Sequence, residues 1–198
     1  LHKILQPAHK IAVTDEYGTD LKVTLSTSPD RKWKVDDGIF TKPHDWGNLP
    51  AGEVYTCPDE ANGQVVAWEI GDYFSEKYGL LNEPVTLKIK DSRVVNVEGT
   101  NKALNKEFFD YLGQQENSNR MGEFANGCLL GLNGLIGNLL QDEKFPGVHM
   151  AFGHPYPHET GQTEWDADTH VDVIPLKVNE WVDGRQILKD GKFVVDLK

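Results

Sequence analysis

The chain has 198 residues, of which 38% are apolar and 26% are charged, and its mean hydropathy is −0.50. This is the composition of a globular protein that can bury a core, and we expect residues 1–198 to form one domain. The 31 acidic and 20 basic residues give a net charge of −11, which argues against a nucleic-acid partner. No apolar run approaches the ~18 residues that cross a bilayer, and Cys57 and Cys128 are too few for a disulfide framework. The sequence therefore predicts a cytoplasmic protein without a membrane span.

Dense turn signals separate short runs of β-forming residues, which predicts a mainly antiparallel or mixed β-sheet. The predicted strands are residues 11–14, 21–25, 64–70, 85–89, 94–97, 148–152, 170–174, 186–188 and 193–195. One helix is predicted after Thr100, an N-cap candidate, because apolar residues recur at three- and four-residue spacing from Leu104 to Leu112. A glycine-rich segment, residues 133–142, is a second helical candidate or a loop. The predicted fold class is α+β with one or two helices.

Histidines are concentrated near the C-terminal end of the chain. Four of the seven lie within 22 residues, at His149, His154, His158 and His170. His170 and Asp172 are two residues apart on a predicted strand, so their side chains project from the same face. Imidazole nitrogen and carboxylate oxygen are ligands for zinc, cobalt, manganese or iron. The pattern predicts a metal site, and the alternative is a group of loop histidines without a ligand.

Two glutamates, Glu53 and Glu123, each directly follow a glycine. A glycine lets the backbone pass close to another group, and that group could be a bound ion. The alternative is an acidic residue at a turn with its charge in water. The sequence alone leaves both interpretations open.

Taken together, these segments resemble the thermophilic-metalloprotease group of metallo-aminopeptidases, which includes aminopeptidase T and aminopeptidase S. The resemblance is carried, in order, by residues 18–21, the Asn-Leu-Pro-x-Gly-Glu-Val segment at 48–54, Arg-Met-Gly-Glu at 120–123, Asp-Glu at 142–143, residues 149–157 and His-Val-Asp at 170–172. It implies that the chain is the metal-binding catalytic half of the family, without the family's N-terminal α/β domain. It also implies a homodimer.

The resemblance implies six metal ligands: Glu53, Glu123, Glu143, His149, His170 and Asp172. Glu143 departs from the family pattern, because one extra residue separates it from His149. The implied activity is an aminopeptidase with two divalent ions of zinc, cobalt or manganese, whose bridging hydroxide attacks the first peptide bond of a peptide substrate. Tyr156 would steady the oxyanion, and Glu123 or Glu143 would carry the proton to the leaving amine.

The charge of the implied ligands bears on the number of ions. Glu53, Glu123, Glu143 and Asp172 would bring four negative charges together, which two divalent cations would balance. With one divalent ion, two carboxylates would stay uncompensated, and one of them would hold a proton through a raised pKa. Charge balance therefore favours two ions.

Two other functions stay open. The dihydroxypyridine ring-cleaving dioxygenases look similar to this family and use one iron(II) held by two histidines and one carboxylate, for which His149, His170 and Asp172 could serve. A domain that keeps an ion only for stability is the alternative from a non-enzyme class. The number of bound ions and the reaction distinguish the three.

Overall fold

A computed structural model of the protein describes residues 1–71 and 73–197. In chain order its strands are β1 (Lys10–Thr14), β2 (Asp20–Thr24), β3 (Lys34–Asp36), β4 (Glu53–Thr56), β5 (Glu60–Ala67), β6 (Glu69–Ile70), β7 (Val85–Lys90), β8 (Arg93–Glu98), β9 (Met121–Gly127), β10 (Gly147–Gly153), β11 (His170–Ile174), β12 (Asn179–Val182), β13 (Arg185–Lys189) and β14 (Lys192–Phe193). The helices are α1 (His2–Leu5), α2 (Tyr73–Tyr78), α3 (Lys102–Leu112), α4 (Leu139–Asp142) and α5 (Pro157–Thr160).

The strands form two sheets. The larger sheet has the order β14-β13-β12-β1-β2-β5-β7-β8, and the smaller has the order β3-β4-β9-β10-β11-β6. Each pairing between neighbouring strands is antiparallel over the residues described. The predicted α+β class with a mainly antiparallel sheet is confirmed. That residues 1–198 form a single domain stays a prediction.

One hydrophobic core joins the two sheets and the longest helix. It includes Leu87 from the larger sheet, Phe124 from the smaller sheet and Phe108 from α3. The ring of Phe108 lies edge-on to that of Phe74, with 5.0 Å between their centres. Among the described residues, no helix has the length and apolar character needed to cross a membrane.

Helix α3 begins at an asparagine cap. The Asn101 side chain accepts a hydrogen bond from the backbone N–H of Leu104 at 3.1 Å, which satisfies a donor that the first helical turn leaves unpaired. The predicted cap at Thr100 is therefore wrong by one residue. The predicted apolar face is confirmed, since Leu104, Phe108 and Leu112 are buried.

Three predicted elements differ from the observed ones. The predicted strand at 64–70 is divided into β5 and β6 at Trp68, whose N–H bonds to the carbonyl of Ile174 at 2.9 Å. The predicted strand at 193–195 is wrong, because β14 ends at Phe193. The candidate segment at 133–142 is helical only over the four residues of α4.

The pattern missed β3, β4, β9 and β12. Strand β9 is buried at all seven positions, two of which are glycine, so it lacks the alternation by which a half-buried strand is found. This omission matters because β4 begins at Glu53 and β9 contains Glu123. Both glutamates lie on paired strands rather than at exposed turns.

Neighbouring phenylalanines of α3 test how far this core determines stability. Phe108 is fully buried, whereas Phe109 is 44% exposed. We expect Phe108→Ala to lower the free energy of unfolding by about 3 to 5 kcal/mol, because it leaves a cavity between the helix and the sheet. Phe109→Ala should cost less than about 1 kcal/mol. Urea denaturation of both variants checks this, and equal losses would contradict the packing described.

A buried glutamate in β12 should make stability depend on pH. Glu180 is fully buried and accepts a hydrogen bond from Asn126 Nδ2 at 2.6 Å, and burial raises its pKa from 4.5 to about 8. Between these values the unfolded chain has lost the proton that the folded chain keeps, so rising pH destabilises the fold.

As the pH rises through this window, we expect the free energy of unfolding of Glu180→Gln to increase relative to that of wild type by on the order of a few kcal/mol. Urea denaturation at about pH 5 and about pH 8 measures the difference. Glu83→Gln is the control, because Glu83 is exposed. An unchanged difference between Glu180→Gln and wild type at the two pH values would contradict the assignment.

Candidate metal centre

The predicted site residues lie on one face of the smaller sheet. In the antiparallel register Glu123 is opposite Ala151, and Ala151 is opposite Asp172. Directly opposed residues share a face, and His149 shares it too because it precedes Ala151 by two residues. Three neighbouring strands therefore bring an acid, an imidazole and a second acid together.

The adjoining rows extend this face. Tyr55 is opposite Ala125, with Glu53 two residues before Tyr55 on β4, and His170 is opposite Gly153. Small side chains at Ala125, Ala151 and Gly153 lie between the larger polar ones.

Backbone packing and backbone conformation require glycine at the positions that precede Glu53 and Glu123. A Cβ at Gly122 would lie 2.1 Å from the carbonyl oxygen of Gly153, and Gly52 has φ +137°, which a side chain would strain. The backbone does pass close to a neighbour at Gly122, and that neighbour is the end of β10. Both glutamates are nonetheless buried, at 7% and 5% exposure.

Glu123 lies between the two imidazoles. His149 Nε2 is 3.3 Å from Glu123 Oε1 and 3.3 Å from Glu53 Oε2. The other oxygen of Glu123 is 3.9 Å from His170 Nε2, which is itself 3.7 Å from Asp172 Oδ2. The five predicted ligands on these strands thus form one continuous cluster.

The buried ring of His149 fits a metal ligand. Its Nε2 has no hydrogen-bond partner among the described residues, although two carboxylates lie nearby. Burial alone would lower the pKa of His149, but Glu123 and Glu53 raise it well above 6.5. A cation placed among these carboxylates would satisfy them and take the nitrogen lone pair in place of a proton.

His170 is oriented by the backbone. Its Nδ1 donates a hydrogen bond to the carbonyl of His154 at 3.0 Å. Because a carbonyl only accepts, Nδ1 carries the proton of this bond, and Nε2 lies on the side of Glu123 and Asp172. This is the arrangement of a metal-binding histidine.

Two groups of side chains among the described residues could hold a metal ion. Glu123, His170 and Asp172 form one, and Glu53, Glu143 and His149 form the other; in each, the ligand atoms lie within 4.8 Å of one another. The structure therefore brings all six predicted ligands together in two adjoining groups. Whether each binds an ion stays a prediction.

The second group contains a lysine that the sequence did not reveal. Lys144 is fully buried, with its Nζ 2.7 Å from Glu53 Oε1 and in direct contact with Glu143 Oε1. Burial would lower the pKa of Lys144, but Glu53 and Glu143 raise it, so the ammonium stays charged. Burial, together with Asp172 and Glu53, raises the pKa of Glu143 to about 8.

A cavity of about 910 Å³ opens above the cluster. Its lining includes Glu53, Tyr55, Glu123, Glu143, Tyr156, His170, Asp172 and the segment from residue 34 to residue 40. His149 lies beneath this lining at 1% exposure. A small molecule that enters the cavity would meet carboxylates, two phenols and two imidazoles, those of His44 and His170.

Tyr156 covers the outer side of His170. Its backbone has φ 49° at the N-cap of α5, and its ring centre lies 4.8 Å from that of His170, 5.0 Å from His154 and 5.9 Å from Tyr55. Burial raises the pKa of Tyr156, and Glu123 raises it further, so the phenol is neutral near pH 7 and can donate a hydrogen bond. Its predicted place in the site is consistent with this position, and its role stays a prediction.

Sequence reasoning missed Lys144 and Tyr55. Tyr55 follows Glu53 by two residues, so the rule that paired His170 with Asp172 would have found it had β4 been predicted. No signal marked Lys144, which is one of 20 basic residues.

A comparison with family models distinguishes the aminopeptidase family from the similar dioxygenase family. Residues 1–120 match the model of the NicX family, 2,5-dihydroxypyridine 5,6-dioxygenase. The chain belongs to the NicX family. The matched part includes Glu53 and ends before Glu123, so most of the candidate centre lies in the remaining part of the chain. No curated protein matches the chain.

Two solved structures share the fold. The 2,5-dihydroxypyridine dioxygenase of Pseudomonas putida KT2440 has a TM-score of 0.77 and 17% identity, over 99% of this chain and 58% of that one. AmpT of Thermus thermophilus has a TM-score of 0.71 and 23% identity, over 95% of this chain and 50% of that one. The chain thus spans little more than half the length of this solved dioxygenase and half that of AmpT.

The predicted aminopeptidase activity is wrong. The resemblance to aminopeptidase T reflects a shared fold, as AmpT shows, but the family model that matches is that of a dioxygenase and not of a hydrolase. The two-metal hydrolytic mechanism falls with it, whereas the places of Tyr156 and Glu123 in the site stay predictions. The homodimer, the absence of a nucleic-acid partner and the cytoplasmic location stay predictions.

Removal of one imidazole tests the cluster as a metal centre. We expect His170→Ala to weaken uptake of iron(II) by more than about 100-fold, because a ligand is lost from an otherwise intact set. His158→Ala is the control, since His158 is exposed and outside the cavity lining. Elemental analysis after dialysis measures this, and full metal content in His170→Ala would contradict the assignment.

Proposed function

We propose that the chain carries the centre of a mononuclear iron(II) dioxygenase that cleaves the ring of a dihydroxypyridine. Two observations support this: membership of the NicX family, and the meeting of two imidazoles and a carboxylate around Glu123 below a cavity. Two histidines and one carboxylate with open positions are typical of non-haem iron(II) oxygenases. The donor set is the observation that carries the proposal.

His149, His170 and Asp172 are the residues that would hold the ion. The buried Nε2 of His149 without a hydrogen-bond partner and the oriented Nε2 of His170 both fit neutral imidazole ligands. When bound, iron(II) supplies the redox chemistry that allows an organic ring to react with dioxygen. The residues around it then decide which ring enters and in what orientation.

The cavity walls suit a flat, hydroxylated ring. Tyr55 and Tyr156 supply aromatic surface, and planar rings pack on such surfaces in offset or edge-on arrangements. The neutral phenol of Tyr156 would donate a hydrogen bond to an oxygen on the ring. The substrate would thus be fixed by stacking and by one directed hydrogen bond.

Glu123 is the carboxylate placed to move a proton. Its two oxygens lie 3.3 Å and 3.9 Å from the two imidazoles, and it lines the cavity. A ring hydroxyl that enters beside His170 would pass its proton to Glu123 as it becomes an oxyanion. The backbone of β9, buried along its whole length, holds this carboxylate in place.

Oxygen consumption tests the proposed reaction. We expect the iron(II)-loaded chain to consume dioxygen when 2,5-dihydroxypyridine is added, with loss of the ring absorbance. Tyr156→Phe should lower turnover by about 100-fold without loss of iron, because only the hydrogen-bond donor is removed. Tyr17→Phe is the control, since Tyr17 packs on Trp68 and does not line the cavity.

An oxygen electrode and an iron assay on the same samples give both readouts. A chain that holds iron but consumes no dioxygen with the ring would contradict the proposal and favour a domain that keeps an ion for stability only. Turnover of Tyr156→Phe equal to that of wild type would remove Tyr156 from the site.

A further inference from the structure

A lysine lies at the deepest part of the acidic cluster. Lys144 has no exposed surface, its Nζ is 2.7 Å from Glu53 Oε1, and it also contacts Glu143 Oε1. A third carboxylate oxygen, Oδ2 of Asp36, is 3.9 Å away. Three acids therefore converge on one ammonium group, as they would on a bound cation.

The position of this ammonium is one that a metal could otherwise use. The group formed by Glu53, Glu143 and His149 has its ligand atoms within 4.8 Å of one another, and two of its three members already contact Lys144. A divalent ion bound there would lie next to the ammonium, and like charges close together in a buried site repel strongly. The lysine and a metal ion compete for the same carboxylates.

The charges of the whole cluster agree with this. When fully ionised, the four acids among the predicted ligands, Glu53, Glu123, Glu143 and Asp172, carry four negative charges, of which the Lys144 ammonium compensates one. One divalent ion compensates two more, so a single ion leaves one negative charge where sequence-based counting left two. The reason for requiring a second ion is thereby removed.

We propose that Lys144 takes the place of a second metal ion and restricts the centre to one. The inference rests on the proposed function only in that the cluster binds a metal. Lys144 is a positioning residue: it engages Glu53 and Glu143 and leaves His149, His170 and Asp172 to the ion. Without the lysine, the vacated carboxylates of Glu53 and Glu143 would be free to bind a second metal ion beside the first.

The test is the number of manganese(II) ions that the chain binds, measured by equilibrium dialysis and elemental analysis. Wild type should bind one ion and Lys144→Met two. Lys144→Arg, which keeps the charge, should bind one, and the double variant Lys144→Met with Glu143→Gln should also bind one because a ligand of the second site is lost. One ion bound by a folded Lys144→Met chain overturns the inference and leaves the metal centre intact.

The failures of the two proposals differ. A wild-type chain that binds no ion refutes the metal centre, and a wild-type chain that binds two refutes the role of Lys144. Lys144→Met and the smaller Lys144→Ala could unfold without metal, because they leave buried carboxylates uncompensated. In that case, added manganese(II) should raise the unfolding temperature of each variant, and full recovery should require two bound ions per chain. If manganese(II) stabilises neither variant, the inference is overturned.

Discussion

Buried negative charge is the constraint on which the candidate centre depends. Glu53, Glu123 and Asp172 are each less than a tenth exposed, and isolated carboxylates in such positions are costly unless cations or protons compensate them. The protein supplies one cation of its own, the ammonium of Lys144, and the raised pKa of His149 favours a positively charged imidazole beside it. These groups compensate only part of the charge. The rest defines the site as one that attracts a metal ion.

The sheet explains how residues distant in the sequence form this site. Glu123, Ala151 and Asp172 are aligned across three antiparallel strands, so the register fixes which side chains face each other. The fold is shared with both a dioxygenase and AmpT, and the choice of chemistry therefore depends on side chains within a common frame.

Much of this could be predicted from the sequence, and the limits have physical causes. The spacing of His170 and Asp172 predicted a shared face because strand geometry is local, and the apolar face of α3 followed from helical periodicity. Strand β9 was missed because it is buried on both faces and has no alternating pattern. The role of Lys144 could not be predicted, since its burial results from contacts with Glu53, 91 residues away in the chain.

The same limit explains the error in function. Charge counting over the predicted ligands favoured two ions, because the sequence showed the four acids but gave no reason to place a lysine among them. Motifs shared by two families on one fold then pointed to the hydrolase. The family match, together with the buried ammonium, favours a centre with one ion and a different chemistry.

The most direct measurement is a crystal structure of the iron(II)-loaded protein with anomalous diffraction data collected at the iron edge. The account predicts one anomalous peak, bonded to His149, His170 and Asp172, with the Lys144 ammonium still between Glu53 and Glu143. Two peaks, or one peak between Glu53 and Glu143 with Lys144 displaced, would contradict it.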